Sequence, residues 1–265
     1  MKYSRVNLLL LEDVFILKNK WKEGLLNLDN INFVKIKFKD LWNLISKDEI
    51  IDNQRLIIKS TPIHAIIYDE NDCFDGIIDN LIMKLTEDFP SLLLISKSLL
   101  FDSEKIDFLL IKLFTLADFD KVIEYNSIKT LVEFQSKNKY LLMALHQKNQ
   151  KSLGKIVAND QGLPIKNLIM NYYEILLESL HADFRLETNI NTLMHIFGYF
   201  KNDLSKDQKS TFVKIVDNYR SNIVPFNKPL MILSNWSCSY NYPYLQKQTL
   251  FNPYPKVLVY LLTKP

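Results

Sequence analysis

Near residue 100 the hydrophobic pattern of this chain changes period, and nothing else in the sequence constrains the fold as strongly. Before that point, apolar runs at 6–11, 32–38, 55–59, 64–68 and 92–95 have strand character. Amphipathic stretches at 13–21, 40–46 and 75–89 lie between them. Strands alternating with helices predict an α/β layer domain, with 64–68 placed to pair with 55–59. Beyond residue 100 the apolar residues recur at helical spacing. The expected architecture is an α/β N-terminal domain over 1–100 followed by an all-α C-terminal domain over 101–265.

Cap and breaker residues divide the helical part. Ser103 with Glu104 predicts a helix to about residue 124, and Ser127 opens the next. Further helices are expected at 164–181, 188–203 and 205–220, the last starting from the capping-box sequence Ser205-Lys206-Asp207-Gln208. After Pro225 and Pro229 the chain reads as aromatic and turn-rich through Pro255, and 256–262 suits either a strand or a helix. The helix opened by Ser127 organises the rest. Read as one continuous element that ends or bends near Gly154, it places Ile128, Leu131, Val132, Leu142 and Met143 on one face, with Gln135, Lys139 and His146 amid them.

Several chemistries are excluded early. The first half holds only Gly24 and Gly76, and no glycine-rich turn follows a strand, so a dinucleotide or P-loop phosphate site is not expected. Cys73 and Cys238 are far apart, form no metal-ligand spacing and read as free thiols of a cytoplasmic protein. Lys2 and Arg5 precede an apolar run that breaks at Glu12-Asp13 without a small-residue cleavage site, which reads as a buried strand rather than a signal peptide. No apolar stretch reaches transmembrane length. Neither a cofactor nor a metal is expected. Charge is the informative quantity: residues 1–125 hold 16 Lys and Arg against 21 Asp and Glu, net −5, while 126–265 hold 17 against 9, net +8. A basic half suits a polyanionic partner, or it meets the acidic half of its own chain.

Candidate binding residues lie in the basic half. Lys139 on an apolar stripe either snorkels to its edge or points into a cavity to meet a phosphate or carboxylate. Lys137, Lys148 and Lys151 fall within roughly 60° of one another if the helix is continuous, and that face suits backbone phosphates or plain solvent. Asn191, His195 and Tyr199 stand at i, i+4 and i+8 on a side that is polar without charge, which reads as a lined groove or as half-buried, hydrogen-bonded side chains. His195 has no carboxylate or cysteine beside it in sequence, so a base or metal-ligand role has little support. Tyr240, Tyr242, Tyr244, Phe251 and Tyr254 offer rings for stacking single-stranded RNA or for core packing.

Residues 105–260 resemble the YbgA-like family. The matching motifs run in order: Phe134-Gln135-Ser136-Lys137-Asn138-Lys139, Leu153-Gly154 with Val157-Ala158, and Asn191-Thr192-Leu193-Met194-His195-Ile196-Phe197-Gly198-Tyr199-Phe200. Tyr219-Arg220, Pro225, Pro229-Leu230 and Leu245 to Gln248 follow. Two family histidines are replaced, by Gln135 and by Asn235. In many relatives such a domain follows a thiouracil-desulfidase-like domain, and the fused RudS-type proteins are described as removing sulfur from 4-thiouridine in tRNA. Residues 38–119 resemble the second half of that domain, with His64 where the family has a cluster-binding cysteine. The family's iron–sulfur chemistry needs three cysteine thiolates, which Cys73 and Cys238 cannot supply, so the resemblance implies a non-catalytic relative.

The expected function is therefore RNA binding, with tRNA the implied partner, through Lys137, Lys139, Lys148, Lys151, Asn191, His195, Tyr199 and Arg220. The competing readings are an enzyme or ligand pocket around Lys139, Asn191, His195 and Arg220, and a scaffold for an acidic protein partner. Convergence of those four side chains in one cavity favours the pocket, and an open lysine stripe favours RNA.

Overall fold

The computed structural model describes residues 6–11, 31–36, 51–52, 55–58, 61–68, 83–85, 87–89, 92–96, 103–182 and 185–255. The expected helices at 13–21 and 40–46, and the segment 256–262, lie outside them. The described residues are mostly helical. The chain divides into two compact units, residues 1–121 with 253–265, and residues 122–252.

In the first unit, β1 (Val6–Leu11), β2 (Ile31–Ile36), β6 (Ala65–Tyr68) and β7 (Leu93–Ser96) form a parallel sheet in the order β2-β1-β6-β7. Leu8 of β1 stands beside Phe33 of β2 and Ala65 of β6. An unbroken apolar run such as Leu8 to Leu11 is the sequence pattern of an interior parallel strand, and β1 lies between β2 and β6. Ala65, Ile66 and Ile95 are buried. β3 (Ile51–Asp52), β4 (Arg55–Ile58) and β5 (Thr61–Pro62) form a separate antiparallel sheet. The expected pairing of 64–68 with 55–59 is thus corrected. Two residues separate β4 from β5, enough for an antiparallel hairpin, and β6 pairs with β1 instead.

The 23-residue helix α1 (Ser103–Tyr125) contributes Leu113, Phe114, Ala117 and Phe119 to the core of this unit. Tyr254 is also buried here, its ring 6.4 Å from that of Phe114. Burial removes Tyr254 from the expected stacking rings. His64 is buried just before β6. Its Nε2 lies 2.9 Å from Asp120 Oδ2, and its carbonyl accepts the Leu93 N–H.

The second unit is built on α2 (Ile128–Leu145), which packs against α3 (Gln147–Ala158), α4 (Ile165–His181) and α5 (Leu186–Phe197). A 3₁₀ turn (Gly198–Phe200), α6 (Lys206–Arg220), α7 (Asn227–Ser239), α8 (Pro243–Gln246) and a last 3₁₀ turn (Thr249–Phe251) complete it. Asn126, at φ 43°, makes the tight turn out of α1. Ser127 then caps α2, its Oγ accepting the Thr130 N–H at 3.2 Å. Ser205 and Gln208 form the expected capping box on α6. Every residue from Tyr140 to Leu145 is buried, so the second half of α2 is enclosed all round. Each of its leucines contributes on the order of 1.5–3 kcal/mol by burial.

Three expectations change. The continuous helix through Gly154 breaks instead at His146, where φ −152° and ψ 96° leave the helical region. His146 serves both ends: its N–H reaches the Leu142 carbonyl at 2.8 Å, and its Nδ1 accepts the Asn149 N–H at 3.2 Å. Thr188 Oγ1 donates to the Ala144 carbonyl at 2.7 Å, satisfying one of the carbonyls orphaned at the end of α2. Gly154 sits inside α3, which runs on to Ala158. Second, Leu131, Leu142 and Met143 are buried as expected, but Ile128 and Val132 are 45% and 44% exposed, and Phe134 and Leu141 join the buried face in their place. Third, the segment after Pro225 contains the 13-residue helix α7. Pro229 is tolerated because it falls in the first turn, where its missing N–H has no helical partner to lose.

Candidate functional site

The segment Phe134–Tyr140 turns polar groups both inward and outward. Inward, Gln135 accepts from the buried Tyr172 hydroxyl, and Asn138 Nδ2 donates to the Phe134 carbonyl at 3.0 Å. Asn138 is 1% exposed, and its Oδ1 accepts from Thr249 Oγ1 at 2.6 Å. Gln248, fully buried, donates to the Ser136 carbonyl at 2.9 Å and accepts the Tyr140 N–H at 3.4 Å. This network ties α2 to a turn more than a hundred residues later, with its buried amides paired. Asn138 and Gln248 were missed as key residues. Their signal is polar side chains amid apolar ones, and only the partner shows them to be interior.

Outward, Lys139 is half-buried with Nζ 5.7 Å from the Tyr140 ring centroid, a cation–π contact at the edge of the stripe. No carboxylate among the described residues pairs with it. Lys137 Nζ lies 6.0 Å from the Phe134 ring. The break at His146 separates Lys137, on α2, from Lys148 and Lys151, on α3, so the expected three-lysine face is corrected. In its place α3 carries Lys148, Lys151 and Lys155 at i, i+3 and i+7, one face of a helix with no acidic residue. All three are exposed and have no ion-pair partner among the described residues. Lys155 was missed, although the spacing alone reveals it.

Asn191, His195 and Tyr199 meet different surroundings. Asn191 is half-buried, and its Nδ2 has no partner among the described residues. His195 is exposed in the last turn of α5. Tyr199 is 38% exposed, and its hydroxyl accepts from Tyr140 at 3.2 Å. Its ring lies nearly parallel to Tyr244 (6.2 Å, 24°) and edge-on to Tyr140 and Tyr242. The Tyr242 hydroxyl donates its one proton chiefly to Asp203 at 2.7 Å, with the Tyr199 carbonyl sharing it at 3.1 Å. Burial, and then the bond to Tyr199, push the Tyr140 hydroxyl well above the usual phenol range, and burial raises that of Tyr244. For Tyr242 the bond to Asp203 is the larger cause of an upward shift. These hydroxyls remain protonated donors at neutral pH.

The structure thus links Lys139 to Tyr199 through Tyr140. Arg220 is paired with Asp217 on the exposed side of α6. Among the described residues there is no group of three His, Cys, Asp or Glu able to hold a metal, and no helix long and apolar enough to cross a membrane.

Part of the helical unit resembles a described family of proteins: residues 139–255 match the family described as "Protein of unknown function (DUF1722)". A particular relative extends the match. Over 156 residues the chain is 27% identical to the uncharacterized protein YbgA of Escherichia coli (strain K12), which covers 57% of this chain and 91% of that relative. Both findings support a YbgA-like family for the helical part. No solved structure matches the chain.

Proposed function

We propose that the helical unit binds RNA, with tRNA as the natural form of that partner, in a cytoplasmic protein. The observation that carries this reading is the exposed, unpaired stripe Lys148, Lys151 and Lys155 on an acid-free helix. Three cations on one helix face can each neutralise a backbone phosphate and release its counterion. The net charge of +8 over 126–265 adds a favourable long-range field. The pocket reading receives less support, because Arg220 is engaged with Asp217 and Lys139 lies over Tyr140.

The first unit is read as an α/β layer without cluster chemistry. Its parallel order β2-β1-β6-β7 is the arrangement of open α/β sheets, in which helices cross between strands. His64, at the position matched to a cluster cysteine, instead bonds Asp120.

Filter binding to bulk tRNA across a salt series tests the RNA reading. Three phosphate contacts give a log–log slope of about −2 to −3. Replacing Lys148, Lys151 and Lys155 together by Gln should remove that share of the slope. Salt-independent or absent binding by the unaltered chain would refute the proposal.

A further inference from the structure

We propose that Tyr199 is a stacking platform for an unpaired base of single-stranded RNA, with Lys139 beside it for a phosphate; this deepens, and rests on, the RNA reading. The tyrosine cluster is built unlike an ordinary core. Tyr199 keeps 38% of its surface exposed although three other tyrosine rings touch it. Those contacts fix the ring among three neighbours without burying it. Tyr244 lies nearly parallel to it, while Tyr140 and Tyr242 meet it at 84° and 86°. Hydrogen bonds lock the frame: Tyr140 donates to the Tyr199 hydroxyl, and Tyr242 bridges the Tyr199 carbonyl and Asp203. A ring already fixed in one orientation costs little ordering when a base lands on it.

The charges around the ring suit a nucleotide. Lys139, placed over the Tyr140 ring, has no carboxylate partner among the described residues, and Lys201 is exposed two residues beyond Tyr199. His195, exposed one turn before Tyr199, adds a hydrogen-bonding group. The Asp203 carboxylate is already engaged by the Tyr242 hydroxyl. Every base has a π-face, so such a site favours single strands without reading sequence. Bases inside a duplex cannot reach it, which separates its task from that of the α3 lysines.

The test uses the full chain and a short single-stranded RNA carrying 2-aminopurine, whose fluorescence is quenched on stacking. The unaltered protein should quench it. Tyr199→Ala should abolish the quench and weaken binding roughly tenfold, while Tyr199→Phe should retain both. Replacing Lys148, Lys151 and Lys155 by Gln should leave the quench at saturation. If the protein binds tRNA but does not quench, or if Tyr199→Ala quenches like the unaltered chain, the platform is wrong and the RNA reading survives. If neither tRNA nor the oligonucleotide binds, both fall.

Discussion

Gln248 is the residue whose replacement tests the architecture of the site most directly. Its buried amide holds the Ser136–Tyr140 backbone and, through it, the outward positions Lys137 and Lys139. The amide makes three bonds: to the Ser136 carbonyl at 2.9 Å, to the Tyr244 carbonyl at 3.4 Å, and from the Tyr140 N–H at 3.4 Å. A net gain of about 0.5–1.5 kcal/mol per bond, with the two long ones at the low end, gives roughly 2 kcal/mol. Truncation to Ala leaves a cavity as well, which brings the loss to about 3 kcal/mol. Gln248→Met keeps the volume and should lose only the polar share, about 2 kcal/mol. For a unit of this size the falls in Tm are on the order of 10 °C and 6 °C. Far-UV circular dichroism during thermal and urea unfolding reads both. A Met variant as stable as the unaltered chain would show that the hydrogen bonds do not hold the segment, and the reasoning would fail.

Three other outcomes follow from the structure. Gly154→Ala should stabilise by about 0.5–1 kcal/mol, because the glycine is inside a helix and an added Cβ would meet its nearest neighbour, Gln135 Nε2, at an ordinary 3.8 Å; a lowered urea midpoint would contradict the packing of α3 on α2. Burial raises the phenol pKa of Tyr140, Tyr172, Tyr219 and Tyr244 in the folded chain. Their contribution is therefore full below about pH 10 and is lost as pH rises beyond it, when the unfolded chain ionises first; stability measured from pH 8 to 11 should drop at the upper end, and a flat profile would count against the buried phenols. Purified protein should carry no iron–sulfur cluster of the three-thiolate desulfidase kind, since the chain has two cysteines. Stoichiometric iron with labile sulfide would overturn that expectation.

What the sequence determined by itself is mostly local. Ser127, Ser205 with Gln208, and the apolar spacing located α1, α2, α4 and α6, because caps and helical periodicity act within a few residues. The runs 6–11, 55–59 and 64–68 read as strands for the same reason. Their partners were not legible, since β6 joins β1 across more than fifty residues of chain. Tertiary structure alone decided the break at His146, where Thr188 of a distant helix takes up the Ala144 carbonyl. Tertiary structure likewise put Asn138 inside and Ile128 outside: Gln248 and Thr249 lie near α2 only in the folded chain. The lysines of α3 needed only helical spacing to be seen as a face, but their exposure, and the frame of three tyrosines around Tyr199, depend on which helices pack where. Burial is a property of neighbours, and the neighbours that matter here are remote in sequence.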